Sequence, residues 1–66
     1  MSTFNALLKT LKVIKDSHCA VSAQAIQQAT GFNIRTVQRH TKILAEQDII
    51  ERVGDTARNG YLYRLA

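Results

Sequence analysis

Four side chains near the middle of the chain, Arg35, Gln38, Arg39 and Lys42, carry its strongest chemical signal. Residues three and four apart stack on one side of a helix, so a helical stretch here would gather all four on one polar face. The forked guanidinium of an arginine matches the O6 and N7 edge of guanine, and a glutamine carboxamide matches N6 and N7 of adenine. Arg35, Gln38 and Arg39 are therefore candidates for base contacts in a DNA duplex, with Thr36 reaching a thymine methyl or a phosphate. Lys42, farther along, suits a phosphate. A merely solvated helix face mixes signs and forms pairs along its length, whereas here the only acid is Glu46 at the far end.

Other groups carry weaker signals. Ser22 caps a helix beginning at the next residue, and free amides at such a terminus, with the Ser22 hydroxyl and Gln24, can hold a phosphate. The plain reading of Ser22 is an ordinary cap, and the two roles are compatible. Arg58 and Asn59 lie in a polar run between Gly54 and Gly60 that is either solvated or in contact with a nucleic acid. Arg52 and Arg64 read as strand-surface charges. His40 falls between the apolar and polar faces of its helix, which suits packing or hydrogen bonding better than a pH switch. Tyr61 and Tyr63 share one face of the last strand and pack under the wing, the alternative being a stack on a nucleobase. His18 and Cys19 are adjacent, but one cysteine and one further histidine make a poor metal set. No nucleophile with a base, paired acids or phosphate-cradling glycine loop stands out, so neither an enzyme nor a cofactor is expected.

The elements that position these groups follow from periodicity. Sixty-six residues, 45% of them apolar, make one small domain. Nine Lys and Arg against five Asp and Glu give a charge of +4, which favours a polyanionic partner. A single cysteine, expected buried or half-buried, excludes an internal disulfide and suits a reducing compartment. No run is long enough to span a membrane, and no signal segment is visible, so a cytoplasmic location is expected. Helices are expected at about residues 3–15, 23–29 and 34–47, and a hairpin at about 49–65. In the first, Phe4, Leu7, Leu8, Leu11 and Ile14 form the apolar stripe, with Ala6 and Val13 left outside. In the second, Ala25, Ile26 and Ala29 point inward. Residues 18–21 read as an irregular crossing or a brief extended stretch. Gly31 stops the second helix, Asn33 caps the third and Phe32 plugs the gap between them. Ile34, Val37, Thr41 and Leu44 line the inner face of the third. Tyr61, Tyr63 and Leu65 share one face of the last strand, with Leu62 and Arg64 opposite.

Three helices followed by a two-stranded wing, mainly α with a small β-hairpin, is the order of a winged helix-turn-helix. The run from Ala29 through Thr30-Gly31-Phe32-Asn33-Ile34-Arg35-Thr36-Val37-Gln38-Arg39-His40, continued to Leu44, Ile49-Ile50 and Gly60-Tyr61, resembles prokaryotic winged helix-turn-helix regulators. The likeness is nearest to the amino-terminal domain of IclR-type regulators, with ArsR- and MarR-type domains next. It implies sequence-specific binding of double-stranded DNA, repressor-like control of transcription, and a wing reaching DNA through Arg58 and Asn59. Two positions depart from the pattern: Gln27 stands where alanine is common, and Thr41 where leucine is common. Thr41 must then satisfy its hydroxyl on a backbone carbonyl one turn earlier. The other classes are a winged helix that mediates protein contacts, through Ala6 and Val13 on the first helix, and the DNA-reading fragment of a longer regulator or replication protein. One such domain covers a single half-site, so high specificity calls for a homodimer or a partner protein.

Overall fold

The computed structural model describes residues 3–56 and 60–66. Helix α1 spans Thr3–Asp16, strand β1 Val21–Ser22, α2 Ala23–Thr30, α3 Ile34–Glu46, β2 Ile50–Thr56 and β3 Gly60–Leu65. The three strands form one antiparallel sheet in the order β1-β3-β2. The expected hairpin is thus joined by a third strand, which occupies the end of the presumed crossing. Val21 pairs with Tyr63 and Ser22 with Leu62, so β1 anchors the helices to the base of the wing. Between Val53 and Thr56 the β2–β3 register shifts, and Gly54 adopts φ 71° within that bulge. Among the described residues, no helix is long and apolar enough to cross a membrane.

Local chemistry sets the turn between α2 and α3. Thr30 is buried at the end of α2, where its hydroxyl donates to the Ile26 carbonyl at 2.8 Å and accepts from the Phe32 amide at 3.2 Å. Gly31 takes the left-handed conformation at φ 77° and closes the helix through its amide to the Gln27 carbonyl. Asn33 then starts α3, its Oδ1 accepting from the Arg35 amide at 2.8 Å. Each of these expected roles holds. Asp48 turns the chain from α3 into β2 at φ 59°, a left-handed setting that aspartate tolerates better than most residues.

Ile14, Ile26, Val37, Leu44, Ile50 and Tyr63 form the core, one or two from each main element. The orientation of α1 differs from the expected stripe. Phe4 is 66% exposed and Leu8 also faces out, while Thr10 is fully buried and Val13 packs against the core. The helix is rolled so that Thr10 and Val13 join Leu7, Leu11 and Ile14 of the expected stripe in facing inward. The physical reason is polar: Thr10 meets His40 of α3, a pairing thirty residues apart that apolar periodicity cannot reveal. The outer apolar surface of α1 is therefore Phe4 and Leu8 rather than Val13 and Ala6. On α2, Ala25 and Ala29 prove exposed, and Ile26 and Thr30 are the buried pair. Cys19 is exposed instead of buried or half-buried, since it sits in the bend between α1 and β1.

Candidate nucleic-acid interface

Helix α3 presents two distinct faces. Val37, His40, Thr41 and Leu44 are buried, and Arg35, Gln38, Arg39, Lys42 and Glu46 are exposed. Arg35, Arg39, Lys42 and Glu46 follow steps of four, three and four, and so form a single ridge directly opposite the core. Gln38 flanks this ridge on the side of the sheet, where it lines a groove with Tyr61. Thr36 is half-buried on the opposite flank. The candidate base-contacting residues thus divide into a central ridge, one wing-side amide and one recessed hydroxyl.

None of the ridge cations has an acidic partner within 4 Å among the described residues; the ion pair there is Arg64 with Glu51, across β3 and β2. Arg64 is therefore the strand-surface charge that the sequence suggests. Arg52 is different, because its guanidinium lies 5.1 Å from the centroid of the Tyr61 ring.

The back of α3 is held by polar as well as apolar contacts. His40, only 3% exposed, shares a 2.8 Å hydrogen bond between its Nδ1 and the Thr10 Oγ1. Phe32 meets the His40 ring edge-on with centroids 5.6 Å apart, and the Lys9 ammonium covers Phe32 at 5.4 Å. Burial, and after it the neighbouring Arg39 charge, holds the imidazole below its ordinary pKa, so the ring is neutral near pH 7. The packing and hydrogen-bonding role expected for His40 is the one observed. Thr41, the unusual inner residue, donates its hydroxyl to the Gln38 carbonyl at 3.0 Å. That places the acceptor one turn earlier and removes the cost of burying the hydroxyl. Among the described residues, no buried side-chain nitrogen or oxygen lacks a partner.

Ser22 caps α2, its Oγ accepting from the Ala25 amide at 3.1 Å, which leaves the hydroxyl proton free to donate. Gln24, two residues on, is exposed and faces the groove shared with Gln38. Arg58 and Asn59 lie outside the described residues. Tyr63 is buried as expected, but Tyr61 is 42% exposed and opens onto the groove instead of packing under the wing. Sequence reasoning missed Thr10 and the Arg52–Tyr61 pair. The second had a signal, since cross-strand diagonals bring such side chains within reach, but it requires the register Arg52 to Tyr63.

Residues 8–60 match the family model of the ribonuclease R winged-helix domain. The chain belongs to this winged-helix family. No curated protein and no solved structure matches it. The match covers most of α1, all of β1, α2, α3 and β2, and the first residue of β3, so the winged-helix architecture expected from the residues is shown by family and by fold. It is a match to the ribonuclease R domain, and it lends no support to a specifically IclR-type assignment. In this winged helix, α3 stands in the place of the recognition helix and β2–β3 form the wing.

Proposed function

We propose that this domain binds double-stranded DNA sequence-specifically, with α3 in the major groove, and acts as a repressor-like transcriptional regulator in the cytoplasm. It works by binding, with no catalysis of its own. The observation that carries this reading is the exposed ridge of Arg35, Arg39 and Lys42, unneutralised by acids among the described residues. An α-helix fits the major groove of B-form DNA, and side chains near its amino terminus approach base edges. Arg35, Gln38 and Arg39 then read bases, Thr36 reaches a methyl or phosphate beside them, and Lys42, Ser22 and Gln24 hold phosphates. Arg58 and Asn59 extend the contact to the wing. The regulatory role rests on the likeness of the residue 29–40 run to bacterial regulators.

Selection of bound duplexes from a random pool tests this reading. The expected outcome is an enriched motif, whose preference Arg39→Ala relaxes at particular positions while Lys42→Ala weakens all sequences alike. A palindromic motif would indicate a homodimer. Recovery of no motif would refute sequence-specific reading. The family match favours a second reading, binding to RNA, since the matched domain takes its name from a ribonuclease. The major groove of A-form RNA is too deep and narrow for side chains to read. Equal or tighter binding to RNA than to duplex DNA of the same sequence would replace the first reading with the second.

A further inference from the structure

The groove between the start of α2, the flank of α3 and the base of the wing is lined by Ala23, Gln24, Ile34, Gln38, Gly60 and Tyr61, with Tyr63 at its edge. We infer that it seats one unpaired nucleobase of a DNA strand, stacked on Tyr61, with Arg52 holding the adjoining phosphate. This inference rests on the DNA-binding reading and adds a single-stranded contact to it.

Four observations support it. The groove has a volume of about 330 Å³, whereas a cavity of roughly 150 Å³ suffices for a benzene ring. A two-ring base therefore fits. Tyr61 offers an exposed π surface, and aromatic side chains are the usual platforms for unpaired bases. Arg52 sits over that ring, is itself exposed, and has no acidic partner among the described residues. Finally, the Gln24 and Gln38 carboxamides are exposed and make no side-chain hydrogen bond among the described residues. Each presents a donor beside an acceptor, which is what the edge of an unpaired base requires, so with an overhang bound the two carboxamides turn from the duplex to that base. A base pair locked in a duplex cannot enter, because its faces are already stacked.

The test compares a blunt-ended duplex with the same duplex carrying a short oligothymidine overhang, each fluorescently labelled and titrated with the full chain. The overhang should tighten binding about tenfold. Tyr61→Ala should abolish that gain, Tyr61→Phe should keep it because the ring remains, and Arg52→Gln should reduce it. Melting curves check that each variant folds, and Arg52→Gln carries the test should Tyr61→Ala not fold. An overhang without effect, or a gain that survives both Tyr61→Ala and Arg52→Gln, overturns the inference. Blunt-duplex affinity reports separately on the proposed function: if only the overhang probe binds, the groove stands and the duplex-reading role of α3 falls.

Discussion

The ridge of α3 makes a quantitative prediction about salt. Arg35, Arg39 and Lys42 are exposed, aligned and free of acidic partners among the described residues; Lys42 at a phosphate, and Arg35 and Arg39 in the groove between the two phosphate strands, each displace condensed counterions from DNA in the proposed complex. At about 0.9 log units per neutralised phosphate, three charges give a slope of log affinity against log salt near −2.7. Between roughly 50 and 200 mM salt, that slope weakens binding about 40-fold. Removing one charge with Lys42→Ala should bring the slope to about −1.8 and the loss to about 12-fold. Arg64→Gln is the control, since Arg64 is paired with Glu51 on the sheet and should leave the slope unchanged. Fluorescence anisotropy with one labelled duplex at several salt concentrations measures all three. A slope shallower than about −1 for the native chain, or an equal change in both variants, would refute the assignment of the ridge as the anionic contact.

Three further outcomes concern stability. Folded His40 has a lowered pKa, so the unfolded chain binds more protons below the ordinary histidine value. Stability should be full above about pH 6.5 and decline as pH falls from there toward the lowered value, and His40→Gln should flatten that part of a melting-temperature profile. Ile26→Ala empties a fully buried position and should cost about 2–5 kcal/mol in urea unfolding; a loss under about 1 kcal/mol would contradict its place in the core. Gly31→Ala should cost about 1 kcal/mol from its positive φ alone, since nothing lies within 4 Å of an added Cβ. A neutral result by the same unfolding assay would contradict the left-handed turn.

What could be read from sequence was what is decided locally. Ser22, Gly31 and Asn33 act through backbone groups two to four residues away, so their types and order announce the caps that the structure contains. The polar face of α3 was equally legible, because a single helix needs only its own period. The roll of α1 was not. Leu7 and Leu8 are adjacent, so two apolar stripes compete, and the choice is made by Thr10 finding His40 on another helix. Strand β1 is two residues long and exists only through Tyr63 and Leu62, which lie far along the chain. The groove at Tyr61 arises from three elements at once, and no single stretch of sequence describes it.

The Thr10–His40 bond has a consequence for the proposed reading of DNA. Val37 and Leu44 would tolerate a small turn of α3 about its axis, since apolar contacts have little directionality. A 2.8 Å hydrogen bond between two buried side chains does not, because rotation would leave both unsatisfied. The bond acts as an angular stop, and the angle it fixes determines which of Arg35, Gln38 and Arg39 points most directly away from the core. Thr10, buried behind α3 and touching no nucleic acid in the proposed complex, is then part of the lettering: Thr10→Val should shift base preference in the duplex selection as well as lower stability.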